Sequence, residues 1–415
     1  MMAAWWNSPM IRAVTALGFT QIIGWGTTVY ALGVLAKPIS AETGWRFELV
    51  VGGFTSGLLA SALVSTYAGR LMDRQGGRLV MTWGSAAMAV ALAAVAAAPG
   101  PVAYLVAWAA LGVAMRLTLY DAAFAALVQV TPSQGRKAIS YLTLFGGFAS
   151  SVFWPVGHAL VGPFGWRGTF LIFAALNLFV CVPLHWFGLG CRERCPQSPT
   201  DTAPVADATL SVEDTGVALT GRARQLAMAL FALVMSACAF VFGALAVLLP
   251  ALLEANGVTA TAAVTLAAIK GGAQVGGRFA DIVYGQSLAP LLLGRIAVGL
   301  LPLSFAVLYL FGTGFPTALA FTILFGISNG LVTIVRGAVP LALFGTKGYG
   351  EILGLLATPY LLLNASAPVV IALVVQHGGY PLAQNLMFAA GVIAIMTLEV
   401  LIQWHRRRHG RRSTS

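Results

Sequence analysis

Four basic side chains, Arg116, Lys270, Arg278 and Arg336, stand inside long apolar stretches that hold only two acids at comparable depth, Asp121 and Asp281. An unpaired charge facing lipid costs several kcal/mol or more, so each of these groups needs a partner or a water-filled cavity. Surplus positive charge in such a cavity favours an anionic cargo, which relieves the cations' mutual repulsion and desolvation, and disfavours a cationic one. Lys270, Gln274, Arg278 and Asp281 are spaced 4, 4 and 3 residues apart. At 100° per residue they fall within an arc of roughly 80°, a single polar stripe on an apolar helix. Gly271, Gly272, Gly276 and Gly277 thin that helix and would let a neighbour or a ligand approach closely.

The remaining polar groups each admit two roles. Arg116 is placed roughly 21 Å from the outer end of its helix at 1.5 Å per residue, with Tyr120 one turn further on and Asp121 beside it. Binding or gating is one role; a structural Arg–Asp pair between helices is the other. Trp25 and Tyr30, in a helix that also holds Gln21, Thr27 and Thr28, either line a cavity or pack with their polar atoms satisfied. Arg336 either snorkels and pairs at a gate or touches cargo. His158 and Asn364 lie on helices that contain Pro155 and Pro368, whose rings are expected to kink them. His158 is a proton carrier or a hydrogen-bonded packing residue, and Asp121 and Asp281 are the other proton-carrier candidates. No nucleophile–base pair, P-loop or metal-ligand cluster is present in the sequence, so neither an enzyme nor a cofactor or metal site is expected. Cys191 and Cys195 form only a C-x-x-x-C spacing and are taken as incidental.

The elements that position these groups follow from composition. The chain is 59% hydrophobic, only 9% charged, and has a mean hydropathy of +0.86, outside the range of soluble domains. Apolar runs predict an all-α polytopic membrane protein with twelve helices near 11–35, 46–71, 79–98, 102–130, 139–163, 166–189, 226–251, 258–284, 288–312, 315–344, 350–376 and 381–404. With the N-terminus inside, 17 of the 24 Lys and Arg face the cytoplasm, including the tail Arg406, Arg407, Arg408, Arg411 and Arg412. Only Lys37, Arg46 and Arg167 face outward. This asymmetry places both termini in the cytoplasm and the protein in the plasma (inner) membrane. The net charge of +11 therefore reflects topology and contact with anionic lipid rather than nucleic acid. Trp5 and Trp6 read as an interfacial anchor ahead of the first helix, and no cleaved signal peptide is expected.

Residues 190–224 form a polar Pro-, Ser-, Thr- and Asp-rich linker between an N-terminal six-helix bundle (1–189) and a C-terminal one (225–404), with a basic tail at 405–415. At an offset of 213, Gly135, Pro155, Val156, Ala159, Leu160, Val161 and Gly165 fall on Gly348, Pro368, Val369, Ala372, Leu373, Val374 and Gly378. An internal repeat of this kind predicts a site near the bilayer midplane between two pseudo-symmetric halves, exposed alternately to either side as the halves rock.

Between the second and third helices, Gly69-Arg70-Leu71-Met72-Asp73-Arg74-Gln75-Gly76-Gly77-Arg78 gathers charge in a tight, glycine-containing turn. Its Gly-x-x-x-Asp-Arg-x-Gly-x-Arg pattern resembles the signature of the major facilitator superfamily, with Gly77 where the family usually has a second base. The stretch Tyr30-x-x-Gly33-Val34-x-x-x-Pro38 followed by Gly44-Trp45, and Gly277-Arg278 in the eighth helix, are similar to the monocarboxylate-porter and oxalate/formate-antiporter branch. That resemblance implies a secondary transporter of a small organic anion, a monocarboxylate first of all, working by alternating access with proton coupling or anion exchange. It makes Arg278 the carboxylate clamp, with Arg116, Lys270, Gln274, Tyr30, Trp25, Tyr120 and Asn364 around the cargo. The alternative alignment of Gly277–Asp281 with Gly69–Asp73 makes Arg278 a gate residue instead. Arg70, Asp73, Arg74, Arg78 and Arg336 would form gates, Asp73 facing a helix N-terminus of the other half. The resemblance departs in the eleventh helix: Leu355–Val375 holds no Lys or Arg, so the second cation of an oxalate-type site would have to be Lys270 or Arg116. The protein is expected to act as a monomer. A superfamily exporter of drugs or other xenobiotics is the alternative, although 144–166 lacks the ordered Gly-Pro-x-x-Gly-Gly run of antiporters.

Overall fold

Prolines open several of the helices and glycines in left-handed or mirror-extended conformations close them. Pro9, Pro101 and Pro290 occupy first-turn positions, where the missing N–H costs nothing. Gly44, with φ 68°, ends the first helix and donates its N–H to the Ser40 carbonyl. The computed structural model describes residues 8–190 and 219–412. The Trp5–Trp6 anchor, Cys191 and Cys195, and the linker up to 218 lie outside the described residues, as do the side chains of Arg411 and Arg412.

Among the described residues, nine spans are long and apolar enough to cross a membrane: Pro9–Thr43 (α1), Phe47–Gln75 (α2), Gly77–Ala97 (α3), Pro101–Val130 (α4), Pro132–Gly188 (α5 and α6), Gly221–Ala255 (α7), Pro290–Phe311 (α9), Phe315–Phe344 (α10) and Tyr349–Arg408 (α11 and α12). Two of these are pairs. Gly165 breaks α5 from α6 with φ 63° and ψ −179°, and Gly379 breaks α11 from α12 with φ 72° and ψ −178°. The more polar Ala260–Val283 (α8) completes twelve helices. The two breaks share one geometry, but the second falls one residue past the Gly378 that the offset of 213 would pick. Helix α7 starts at Gly221, earlier than the expected 226. Helices α5 and α11 continue through Pro155 and Pro368, and the interruption in α5 falls at Phe148 instead.

Large apolar side chains such as Leu63 (84% exposed), Leu310 (76%) and Phe179 (74%) point outward, as they must where the solvent is hydrocarbon. The buried side chains form two clusters. One covers the remote ends of α1, α3, α4 and α6, including Leu35, Leu92, Trp108 and Phe170. The other joins α7–α12 to the parts of α1–α5 nearest the chain ends, through Leu17, Met72, Phe124 and Ile139. Among the described residues, the two halves therefore share an apolar core only toward the chain ends.

Candidate functional site

Two helices unwind where they meet the centre of the molecule. Helix α1 turns at Thr28–Tyr30, so that the Tyr30 N–H reaches the Trp25 carbonyl (3.0 Å). Helix α4 breaks at Leu119, whose φ −80° and ψ −169° are extended. Irregular backbone is tolerated at membrane depth only where it lines a cavity or is buried in protein. The α4 break leaves Arg116 in the last turn of Pro101–Thr118 and Asp121 in the first turn of Tyr120–Val130, so each charge complements the end of its half-helix. Arg116 Nη1 donates to Asp121 Oδ2, and Arg336 Nε of α10 lies 3.2 Å from Asp121 Oδ1. One buried acid thus serves two cations, one from each half.

On α8 the polar stripe divides. Lys270, Gln274 and Arg278 line a central cavity of about 280 Å³, while Asp281 points away from it toward the chain ends. Arg278, 3% exposed, donates from Nη1 to the Thr143 carbonyl of α5 (2.9 Å) and from Nη2 to Thr333 Oγ1 of α10 (3.3 Å). Lys270 Nζ stands 5.9 Å from the Phe325 ring centroid. No acid lies within 4.0 Å of Lys270 or Arg278 among the described residues. The expected role of four glycines in a close approach holds for Gly277 alone. A Cβ on Gly277 would sit 3.1 Å from the Ile327 carbonyl oxygen, whereas Gly271, Gly272 and Gly276 have open space. The tight α8–α10 crossing is made from the other side, by Gly326 and Gly330 against the Lys270 and Gln274 carbonyls (2.7 and 2.3 Å from a built Cβ).

The facing wall is aromatic. Trp25 packs on Tyr120 with ring centroids 5.0 Å apart and on Tyr30 at 6.4 Å, and its Nε1 donates to Gln21 (3.1 Å). The Tyr120 hydroxyl donates to the same Thr143 carbonyl as Arg278 (3.2 Å). Asn364 lines the cavity with its amide turned to the Ala239 carbonyl of α7 (3.1 Å). The structure thus gathers Trp25, Tyr30, Arg116, Tyr120, Asp121, Lys270, Gln274, Arg278, Arg336 and Asn364 around one space. His158 is not among them; it is exposed on α5. Tyr360 and Ser61 also line the cavity and were not singled out from the sequence. The Tyr360 ring lies 5.0 Å from the Arg336 guanidinium, a contact of the cation–π kind. A tyrosine in the base-free eleventh helix was the available signal.

Toward the chain ends the halves are bolted together. Asp73 accepts the N–H groups of Gly350 (2.9 Å) and Glu351 (2.8 Å) at the start of α11, and Arg70 Nε donates to Glu351 (2.8 Å). Arg74 is exposed, and Arg78 stacks over Trp186 within its own half at 4.0 Å. On the pseudo-symmetric side, Asp281 accepts from Ser140 Oγ (2.6 Å) and stands 3.9 Å from Arg136, whose guanidinium also bonds the Gly285 and Leu288 carbonyls. Beyond the cavity on the remote side, no cross-half hydrogen bond or ion pair joins the described residues.

Two pseudo-symmetric six-helix halves around a central charged cavity, closed at one end, define a multi-pass membrane transporter fold. A model of the Major Facilitator Superfamily matches residues 14–303, and the chain belongs to that superfamily. The crystal structure of the human organic anion transporter MFSD10 (TETRAN) is similar at TM-score 0.71 and 16% identity, covering 95% of this chain and 100% of that one. A variant of the E. coli fucose:proton symporter FucP is similar at TM-score 0.68 and 13% identity, covering 95% and 99%. FucP in the outward conformation gives TM-score 0.69 at 13% identity over the same shares. No curated protein sequence matches the chain significantly.

Proposed function

We propose that the protein is a secondary transporter of a small organic anion, held through a carboxylate at Arg278. The carrying observation is that Arg278 lies buried on the cavity wall with its guanidinium on a carbonyl and a hydroxyl, and no acid of the protein within 4.0 Å among the described residues. A carboxylate there would gain a charge-assisted, two-pronged bond from a guanidinium whose present partners are both neutral. The simplest such cargo is a monocarboxylate. Likeness at 16% identity supports the fold and not the cargo, so the human organic anion transporter lends agreement only. Positive-inside asymmetry supports cytoplasmic chain ends in a plasma (inner) membrane, and the closed side then faces the cytoplasm. Alternating access would proceed by release of the Asp73 and Asp281 contacts as the remote side closes. Asp121 is the sole acid lining the cavity among the described residues, which makes it the site for a coupling proton if transport is symport rather than exchange.

The test is a thermal-stability screen of the detergent-purified protein with small carboxylates, other organic anions and lipophilic cations, for wild type and Arg278→Gln. A ligand that binds only the folded state raises Tm with its occupancy. Carboxylates should stabilise wild type and lose that effect in the variant. Stabilisation by lipophilic cations alone, or an unchanged response in Arg278→Gln, would favour an exporter and assign Arg278 to the gate.

A further inference from the structure

The four cavity cations are not equivalent. Arg116 and Arg336 share Asp121, whereas Arg278 and Lys270 have no acid within 4.0 Å among the described residues. The sequence leaves either Arg116 or Lys270 as a second anion-binding cation; in the structure Arg116 is consumed and Lys270 is free. Lys270 and Arg278 lie eight residues apart on one face of α8, which separates them by about 12 Å along the axis. Gln274 stands between them on the same wall, and the aromatic rings of Trp25, Tyr30 and Tyr120 contribute to the rest of the lining. A monoanion at Arg278 leaves the Lys270 ammonium uncompensated in a narrow, largely apolar space, and such a charge is costly. A second anionic group at Lys270 removes that cost.

We infer that the cargo is an elongated organic dianion laid along α8, one anionic group on Arg278 and the other on Lys270, with Gln274 alongside the span between. The inference rests on the anion-transporter proposal and adds to it a second charge and a length. Lys270 stands by Phe325 and Arg278 by Thr333, eight residues apart on α10 as well, so the two anionic groups are spaced by roughly that 12 Å. The cavity volume of about 280 Å³ lies just below the usual range of ligand sites, which favours a slender body between the groups.

The experiment compares straight-chain α,ω-dicarboxylates of increasing length with monocarboxylates of equal carbon number. Affinities are measured by calorimetry on the full-length purified protein, for wild type, Lys270→Gln and Arg278→Gln. Wild type should bind a diacid of one length at least about tenfold more tightly than its matched monoacid, a difference of about 1.4 kcal/mol. Shorter and longer diacids should bind less well. Lys270→Gln should bring the diacid down toward the level of the monoacid and lower monoacid affinity by a much smaller factor, and a melting transition as cooperative as that of wild type shows that the variant is folded. Equal affinity for matched mono- and diacids in wild type would overturn the inference, as would a Lys270→Gln loss of the same factor for both classes. In either case the single-anchor anion site at Arg278 survives. Failure of wild type to bind any carboxylate would sink the anion proposal itself, and the inference with it.

Discussion

Helices α2 and α8 carry the same Gly-Arg-x-x-Asp pattern at the same end of their halves, Gly69–Asp73 and Gly277–Asp281, yet the two arginines have different environments. Both aspartates reach the opposite half, Asp73 to the N-terminus of α11 and Asp281 to Ser140 and Arg136 of α5. Arg70, with its side chain 52% exposed, pairs across the halves with Glu351. Arg278 is buried and turned into the cavity. The repeat offset of 213 explains the divergence, because it places Ala138 where the other side has Glu351. With no acid across the interface among the described residues, the second arginine has no ion pair to make at the gate and turns into the cavity, where the proposed anion would meet it. On the proposed reading, one duplicated element serves as a latch in one half and as a latch joined to a binding site in the other.

The largest contrast should appear on neutralising each arginine. Arg278→Gln removes the proposed carboxylate's charged partner from a buried site, where truncating one member of such a pair costs about 2–5 kcal/mol. Transport should fall by roughly 30-fold or more at that cost, at about 1.4 kcal/mol per tenfold. Arg70→Gln should stay within several-fold of wild type, because an exposed pair is worth about 0–1 kcal/mol. Uptake of the best carboxylate into proteoliposomes measures both, and equal losses would dissolve the distinction between the two arginines.

A second contrast concerns the glycines. A Cβ on Gly69 would lie 2.1 Å from the Gly350 carbonyl oxygen of the other half, whereas one on Gly277 meets Ile327 of its own half at 3.1 Å. Gly69→Val should therefore oppose closure toward the chain ends. Overpacking of about 1–3 kcal/mol would shift the two-state balance roughly 5–150-fold. Gly277→Val should disturb α8–α10 packing without that bias. Labelling of a cysteine at Thr143 by a membrane-impermeant thiol reagent applied from the chain-end side should rise in the Gly69→Val background only.

Asp73→Asn should have a smaller effect. Both carboxylate oxygens accept backbone N–H groups, and the amide can accept with one oxygen only, losing in addition about 0.3–1 kcal/mol of charge–dipole attraction. Turnover should fall a few-fold while carboxylate affinity, read by calorimetry, stays unchanged. A matching loss of affinity would mean that the latch is part of the binding site.

How much of this was legible beforehand varies with the physics of each residue. The α8 stripe stood out because polar groups at helical spacing in an apolar run have to be placed against a partner or a cavity. The twelve-helix fold followed from apolar run lengths, and the Asp73 turn from its charge and glycines. The α4 break at Leu119 was hidden, since Leu117-Thr118-Leu119 contains no Gly or Pro and is stabilised by half-helix ends that suit Arg116 and Asp121. His158 misled for the opposite reason: a single polar residue in an apolar helix has no periodicity to say which face it occupies. Tyr360 went unmarked because the expected chemistry was a base, and its contribution is a ring beside Arg336.

The smallest expected effect isolates the Arg70–Glu351 pair, the feature that α8 lacks. Both side chains are solvent-accessible, so their attraction is screened by salt, with a Debye length of about 8 Å at physiological ionic strength. Glu351→Gln should change turnover by less than about fivefold at low salt, within the roughly 1 kcal/mol ceiling for exposed pairs, and by less still at high salt. Exchanging the charges, with Arg70→Glu and Glu351→Arg together, should recover most of what either single change loses. Salt should leave the Arg278→Gln defect unchanged, because that residue is buried among Thr143, Thr333 and Tyr120 rather than in water. If high salt instead rescued Arg278→Gln, or if the charge exchange recovered nothing, the two motifs would not differ by the presence of a trans acid, and Ala138 would not account for the route Arg278 takes into the cavity.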